Sequence, residues 1–318
     1  MKKGTLALLL VIPALLFTGC TKKAKYTVGI CQLVEHIALD AATQGFKDEL
    51  EKQLGKGVVE FDEQVAAGDA NTCTTIVNSF VSKNVNLIMA NATPALQAAA
   101  NATLTVPILG TSITEYGVAL GLENFNGVTG TNISGTSDLA PLDEQAQMVK
   151  DIFPSAQKVG ILYCAAEANS KYQVDVVSAE LVKLGLQVEA MSFSDSNDIS
   201  SVLSAKAAQL DVLYIPTDNT CASNSAVIDS ICQNNNLPVV AGEEGLCKGC
   251  GAITLSISYY NIGFKTGAMA AQILKGEAKI EEMPIAYDEH PVKKYNPVIC
   301  QRLGLAAPAG YEAIDMTE

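Results

Sequence analysis

Eight short runs rich in β-branched and aliphatic residues constrain this chain most: YTVGICQ, VVEFDEQ, VNLIMAN, VPILGTS, KVGILYC, QVEAMSF, VLYIPTD and PVVAGE. Most lack inside–outside alternation. Helical patterns lie between them: Ala38 to Leu54, Ala70 to Lys83, Ser170 to Leu184, Ile199 to Gln209 and Ser225 to Asn235. Strands that are apolar on both faces and separated by helices of ten or more residues predict parallel sheets covered on both sides. A stretch of Gly, Asn, Thr and Ser from Gly121 to Gly135 divides the strands into two β-α series. The two series echo each other, since VNLIMANATPAL and DVLYIPTDNTCASN are both buried strands ending in a polar, Thr-containing turn. The expected fold class is α/β, with two Rossmann-like lobes.

The first residues read as an export signal rather than as part of the fold. Lys2 and Lys3 precede the apolar run LALLLVIPALLF and then TGC. A basic start, an apolar core and small residues before a cut define a signal peptide, here residues 1–19. The run is short for a membrane span, and Pro13 interrupts it. Phe17-Thr18-Gly19-Cys20 resembles the bacterial lipobox, with Phe17 in place of the usual leucine. Cys20 would carry lipid and begin a tether over residues 20–25. The protein would then be exported and held by its lipid at the outer face of the cytoplasmic membrane.

Composition narrows the function. The remaining 300 or so residues suit two domains. An apolar content of 48% supplies ample core, and a net charge of −13 argues against a nucleic-acid partner. Eight cysteines remain after Cys20, an even number that permits disulfides in an exported chain. Cys31 and Cys164 sit in strand-like runs and read as buried residues. Cys247-Lys248-Gly249-Cys250 lacks a second pair at zinc spacing and reads as a loop pair; no metal site is expected. The sequence contains no GxGxxG after a strand, no P-loop, no GxSxG and no HExxH, so no cofactor and no enzymatic activity are expected.

Ligands of parallel sheets bind at the carboxyl ends of the strands. In the first half those ends hold Gln32 to His36, Ala90 to Ala95, and Thr111-Ser112. In the second they hold Ala165 to Ser170, Thr217 to Thr220, and Gly242 to Glu244. At Asn91-Ala92-Thr93-Pro94, Thr93 is placed to cap a helix that Pro94 begins, and the free N–H groups there suit an anion.

Five segments carry a family resemblance: QLVEHIALDAATQGFKDEL, ANATPALQAAANAT, EANS, PTDNT and SYYNIGFKTGAMAAQILKGE. In this order they resemble the substrate-binding lipoproteins of ABC transporters associated with uptake of tryptophan and tyrosine. The resemblance runs from Lys25 to about Leu305. Thr114-Glu115-Tyr116 departs from the family's usual Asp-Pro, and the CKGC segment is also unusual. The resemblance implies a type I periplasmic-binding-protein fold with a three-strand hinge. The crossings fall near Gly127 to Asn132, Leu255 to Tyr259 and Pro284 to Glu289. Lobe 1 is then 26–128 plus 259–284, and lobe 2 is 129–258 plus 285–318. It further implies an aromatic amino acid as ligand and a membrane permease and ATPase as partners. The alternatives are a branched-chain or other small-ligand binding protein, or a sensory module.

An amino acid makes three demands. Thr93, Pro94, Ala95, Thr111 and Ser112 would hold its carboxylate, and Gln32 lies beside them. Glu167, Asp218 or Glu243 would hold its ammonium, oriented by Asn169 and Asn219. Tyr163, Tyr116 or Tyr259 would wall its side chain. His36 is equally readable as a helix-start residue without a ligand.

Overall fold

A computed structural model describes residues 24–288 and 290–317. The signal segment and Cys20 lie outside the described residues. The strands are β1 (Tyr26–Gln32), β2 (Val59–Val65), β3 (Leu87–Asn91), β4 (Ile108–Ile113), β5 (Ile133–Ser137), β6 (Lys158–Cys164), β7 (Gln187–Phe193), β8 (Val212–Ile215), β9 (Val239–Ala241), β10 (Ile253–Ser256), β11 (Ala286–Tyr287), β12 (Val292–Tyr295) and β13 (Glu312–Ala313). They form two sheets, ordered β11-β5-β4-β3-β1-β2 and β13-β12-β10-β9-β8-β6-β7. Every pairing is parallel except β10 with β12.

Central and edge strands differ as their sequences demand. β3, β4 and β8 are buried at every position, as strands covered on both faces must be. The edges β2 and β7 alternate and carry charge. Lys47 pairs with Glu63, and Lys158 and Lys206 both pair with Glu189. Charged edges discourage pairing with another chain.

The first lobe is completed from far along the chain. Helix Tyr259–Lys275 lies against helix Ile37–Leu54 at backbone contact, with Gly263 facing the Ala42 carbonyl and Gly45 facing that of Tyr260. A Cβ at Gly263 would sit 1.9 Å from that carbonyl oxygen, so only glycine fits. One apolar cluster thereby unites Val28, Phe46, Leu87 and Leu109 with Met269 and Ala270.

The chain crosses between lobes three times. β5 and β11 belong to the first sheet, so the first crossing lies after Ser137, later than the expected 127–132, and the first lobe extends to 137. The second crossing follows β10 as expected. The third follows Tyr287, within the expected Pro284 to Glu289, and moves the end of the first lobe from 284 to 287. β5 reads ISGTS, too polar to signal a strand. The crossings are tied together: Tyr259 donates its hydroxyl to Asp138 at 2.9 Å, and the Ser258 N–H donates to Asp288 at 3.1 Å.

Three local expectations need correction. The helix after β3 is Thr93–Ala102, preceded by Ala92, so Thr93 is its first residue and not its cap. No side chain caps it. The Ile199–Gln209 helix ends at Ser204, and a separate 3-10 turn covers Ala207–Gln209. The CKGC segment is not a loop but part of helix Glu244–Cys250, whose start Glu243 caps. Cys247 and Cys250 are buried and unbridged, as are the other six cysteines among the described residues.

Candidate functional site

The strand ends of the two lobes face each other across a cleft. Three turns of the second lobe bring acidic side chains to it. Glu167 precedes helix Ala168–Lys183, and its carboxylate reaches the next turn. There it accepts from the Asn219 and Thr220 N–H groups at 3.2 and 2.9 Å and from their side chains at 2.6 and 2.8 Å. Asp218 caps helix Asn219–Ser223 through Cys221 N–H at 2.8 Å, while its other oxygen accepts Cys164 N–H at 2.6 Å. Glu243 accepts from the N–H groups of Gly245 and Leu246. Oriented backbone donors stabilise these carboxylates, and burial opposes ionisation. Burial dominates: Asp218 is pushed up to about 7, with Glu167 adding repulsion, and Glu243 to about 7.

The first lobe contributes differently. Ser112, the next-to-last residue of β4, has φ of 56°, and Ala92 follows β3 with φ of 88°. Both sit in a region that residues with a Cβ rarely adopt. Asp138, just past β5, is 5% exposed and held above the usual carboxylate range by burial. His36 precedes helix Ile37–Leu54, and its Nε2 reaches Asn219 Oδ1 of the other lobe at 3.2 Å.

These groups meet around one small void. Its walls include His36, Ser112 and Asp138 from the first lobe and its edge, Asn169, Asp218 and Glu243 from the second, and Tyr259 from the second crossing. The free space is about 10 Å³, room for about one water. Four buried polar atoms around it lack any hydrogen-bond partner: His36 Nδ1, Ser112 Oγ, Asp138 Oδ1 and Asn169 Oδ1. Such atoms are costly unless something satisfies them. A cleft of about 570 Å³ shares the Asn219 wall and is lined also by Leu33, Pro94, Cys164, Glu167 and Asp195.

Of the residues singled out in the sequence, the structure gathers Ser112, Asn169, Asp218, Asn219 and Glu243 at the void. Pro94 and Glu167 line the larger cleft. Gln32, Thr93, Ala95 and Thr111 are buried and line neither. Gln32 instead joins Thr43, Asp40 and Asn91 beneath the cleft, Ala95 packs in the first-lobe core, and Thr111 accepts from Thr136. Tyr116 is 1% exposed in that core and Tyr163 packs on the second, so neither walls the void; Tyr259 does. Sequence reasoning missed Asp138 and left His36 open. Asp138 follows a strand too polar to recognise, and His36 gains its role only from a contact 183 residues away.

Residues 27–309 match the family of ABC transporter substrate binding proteins. A tyrosine-binding protein of Clostridioides difficile is 36% identical over 270 residues, covering 83% of this chain and 76% of that protein. Among solved structures, an ABC domain from Streptococcus pneumoniae in complex with L-Trp superposes with a TM-score of 0.87 at 29% identity, covering 92% of this chain and all of that one. The ligand-free, open structure of a Clostridium difficile substrate-binding protein with adhesive properties gives 0.69 at 36% identity, with coverage of 92% and 100%. The more similar sequence superposes less well, so lobe arrangement and not divergence sets the difference. In this chain the two lobes touch across the cleft through His36 and Asn219. Its fold is that of type I periplasmic binding proteins, a family of solute carriers and not of enzymes. The chain belongs to the ABC transporter substrate-binding proteins and serves as the extracytoplasmic capture component of an importer.

Proposed function

We propose that the ligand is an amino acid, an aromatic one in particular, gripped between the lobes. One observation carries this reading: four unpartnered buried polar atoms, from both lobes, surround a single void rich in carboxylates. A zwitterion satisfies such a site, its ammonium facing Asp138 and Asn169 and its carboxylate facing the Ser112 hydroxyl. The side chain extends into the larger cleft beside Leu33 and Pro94. The tyrosine- and tryptophan-binding relatives support the aromatic class. The void is too small for any amino acid, so the lobes part to admit ligand and close over it. Calorimetry with the twenty amino acids is expected to show tight binding of tyrosine or tryptophan. Tight binding of leucine or valine alone would transfer the reading to the branched-chain class, and no binding at all would end it.

Lipid attachment at Cys20 holds the protein at the membrane beside a permease and an ATPase. The lipobox-like Phe17-Thr18-Gly19-Cys20 supports this. Cys20→Ala is expected to release the protein from membranes or leave its leader uncut. Normal processing and retention in that variant would refute the anchor.

A further inference from the structure

The residues around the void fix one another's hydrogen-bonding roles. The Glu167 carboxylate only accepts, so the Asn219 amide must turn its nitrogen to Glu167, at 2.6 Å. That leaves the amide oxygen facing His36 Nε2 at 3.2 Å. An amide oxygen also only accepts, so Nε2 carries the ring proton. Burial favours the neutral ring, and a neutral ring protonated at Nε2 presents a bare lone pair at Nδ1. Asn169 is fixed in the same way: its amide nitrogen donates to the Thr217 carbonyl at 3.0 Å, which makes its free Oδ1 an acceptor. Asp138 spends one oxygen on Tyr259 at 2.9 Å and keeps the other.

We propose that His36 Nδ1, Asn169 Oδ1 and Asp138 Oδ1 form a three-acceptor seat for a primary ammonium group, with the His36 tautomer set across the cleft by Glu167 through Asn219. This rests on the amino acid reading and extends it. A primary ammonium has three N–H donors, one for each acceptor. A secondary ammonium has two and leaves one buried acceptor unpaired. A sugar hydroxyl has one. Because His36 belongs to the first lobe and Asn219 to the second, the tautomer is imposed only when the lobes meet. Glu167 is thus a positioning residue, and His36 a discriminating one.

The chain has two histidines, so the ring nitrogens can be assigned by NMR with His290→Gln as control. In the full mature protein saturated with L-tyrosine, His36 is expected as the Nε2–H tautomer with unprotonated Nδ1. An Nδ1–H tautomer or an imidazolium would overturn the seat. By calorimetry, N-methyl-L-tyrosine is expected to bind about tenfold or more weakly than L-tyrosine. If both bind equally, the seat is wrong and the amino acid reading stands; if no amino acid binds, both fall. Glu167→Gln lets the Asn219 amide turn over, and the Nδ1–H tautomer is expected to appear with a roughly tenfold loss of affinity. An unchanged tautomer in that variant would remove Glu167 from the relay. Should the variant misfold, the parent's ring spectrum and the N-methyl comparison decide.

Discussion

The turns after β3 and β8 look alike in sequence and are built in opposite ways. After β8, Asp218 caps the following helix with its own carboxylate, and Glu167 from the neighbouring turn takes up the remaining N–H groups. After β3, no side chain caps the helix, and Ala92 holds φ of 88° and ψ of 156°. At these two turns the second lobe therefore shapes its face of the cleft with buried carboxylates, and the first with strained backbone. Carboxylates fix geometry through bonds that can be removed singly. Strain fixes it through surrounding structure that over-determines one residue.

Substitutions can break this contrast. The largest effect is expected from Glu167→Ala, which strips five donors of a shared acceptor. It is expected to cost about 2–4 kcal/mol in urea unfolding. A loss below about 1 kcal/mol would mean that water replaces the carboxylate freely. Asp138→Asn keeps an acceptor for Tyr259 but removes the charge facing the void. Affinity for L-tyrosine is expected to fall about ten- to a hundredfold, with unfolding little changed. Unchanged affinity would leave Asp218 or Glu243 as the partner of the ammonium.

Acidity tests the carboxylates next. Asp218 and Glu243 titrate near 7 when folded, well above their unfolded values near 4. They hold protons more tightly folded than unfolded. Their contribution to stability is complete below about pH 4 and is lost as pH rises through about 7. Thermal unfolding of the ligand-free protein is expected to drop from pH 5.5 to 7.5, while affinity for the ammonium rises over the same interval. Parallel trends in both would contradict the assignment. On the strained side, Ala92→Gly is expected to stabilise the protein by about 1 kcal/mol, relief of strain exceeding the entropy cost of glycine. The smallest effect is expected from Thr93→Val, less than about a twofold change in affinity by calorimetry, because Thr93 does not reach the void.

The parallel core was legible because its signal is local. KVGILYC and QVEAMSF are β6 and β7 residue for residue, and helix boundaries such as those of Ser225–Asn234 fall within a residue or two of expectation. The short pieces were not. ISGTS carries no strand signal, and its pairing with β4 is imposed by the sheet. EGLCKGC has poor helix formers and is held by its Glu243 cap and by burial. The strand-end rule pointed to loops that the structure brings together at the cleft, yet within each loop it could not choose the residue. Thr93 and Ser112 are equally good donors on paper; backbone twist at Ser112 turns one hydroxyl into the void. Asp138 and His36 depend on how the crossings and lobes meet, which no short window records.

The glycine contact between helix Ile37–Leu54 and helix Tyr259–Lys275 has a consequence for the order of events during export. The first lobe's core includes Val28 and Met269 in one cluster, so its sequence-distant halves must find each other before either is stable. A chain emerging from its amino end displays β1 to β4 long before the helix that covers them exists. The second lobe needs a shorter wait for most of its sheet, β6 to β10 being contiguous. The polypeptide therefore stays incompletely folded until residue 271 or so has emerged, a state that suits threading through a narrow export channel, and the second lobe becomes whole later still, when β12 and β13 join its sheet.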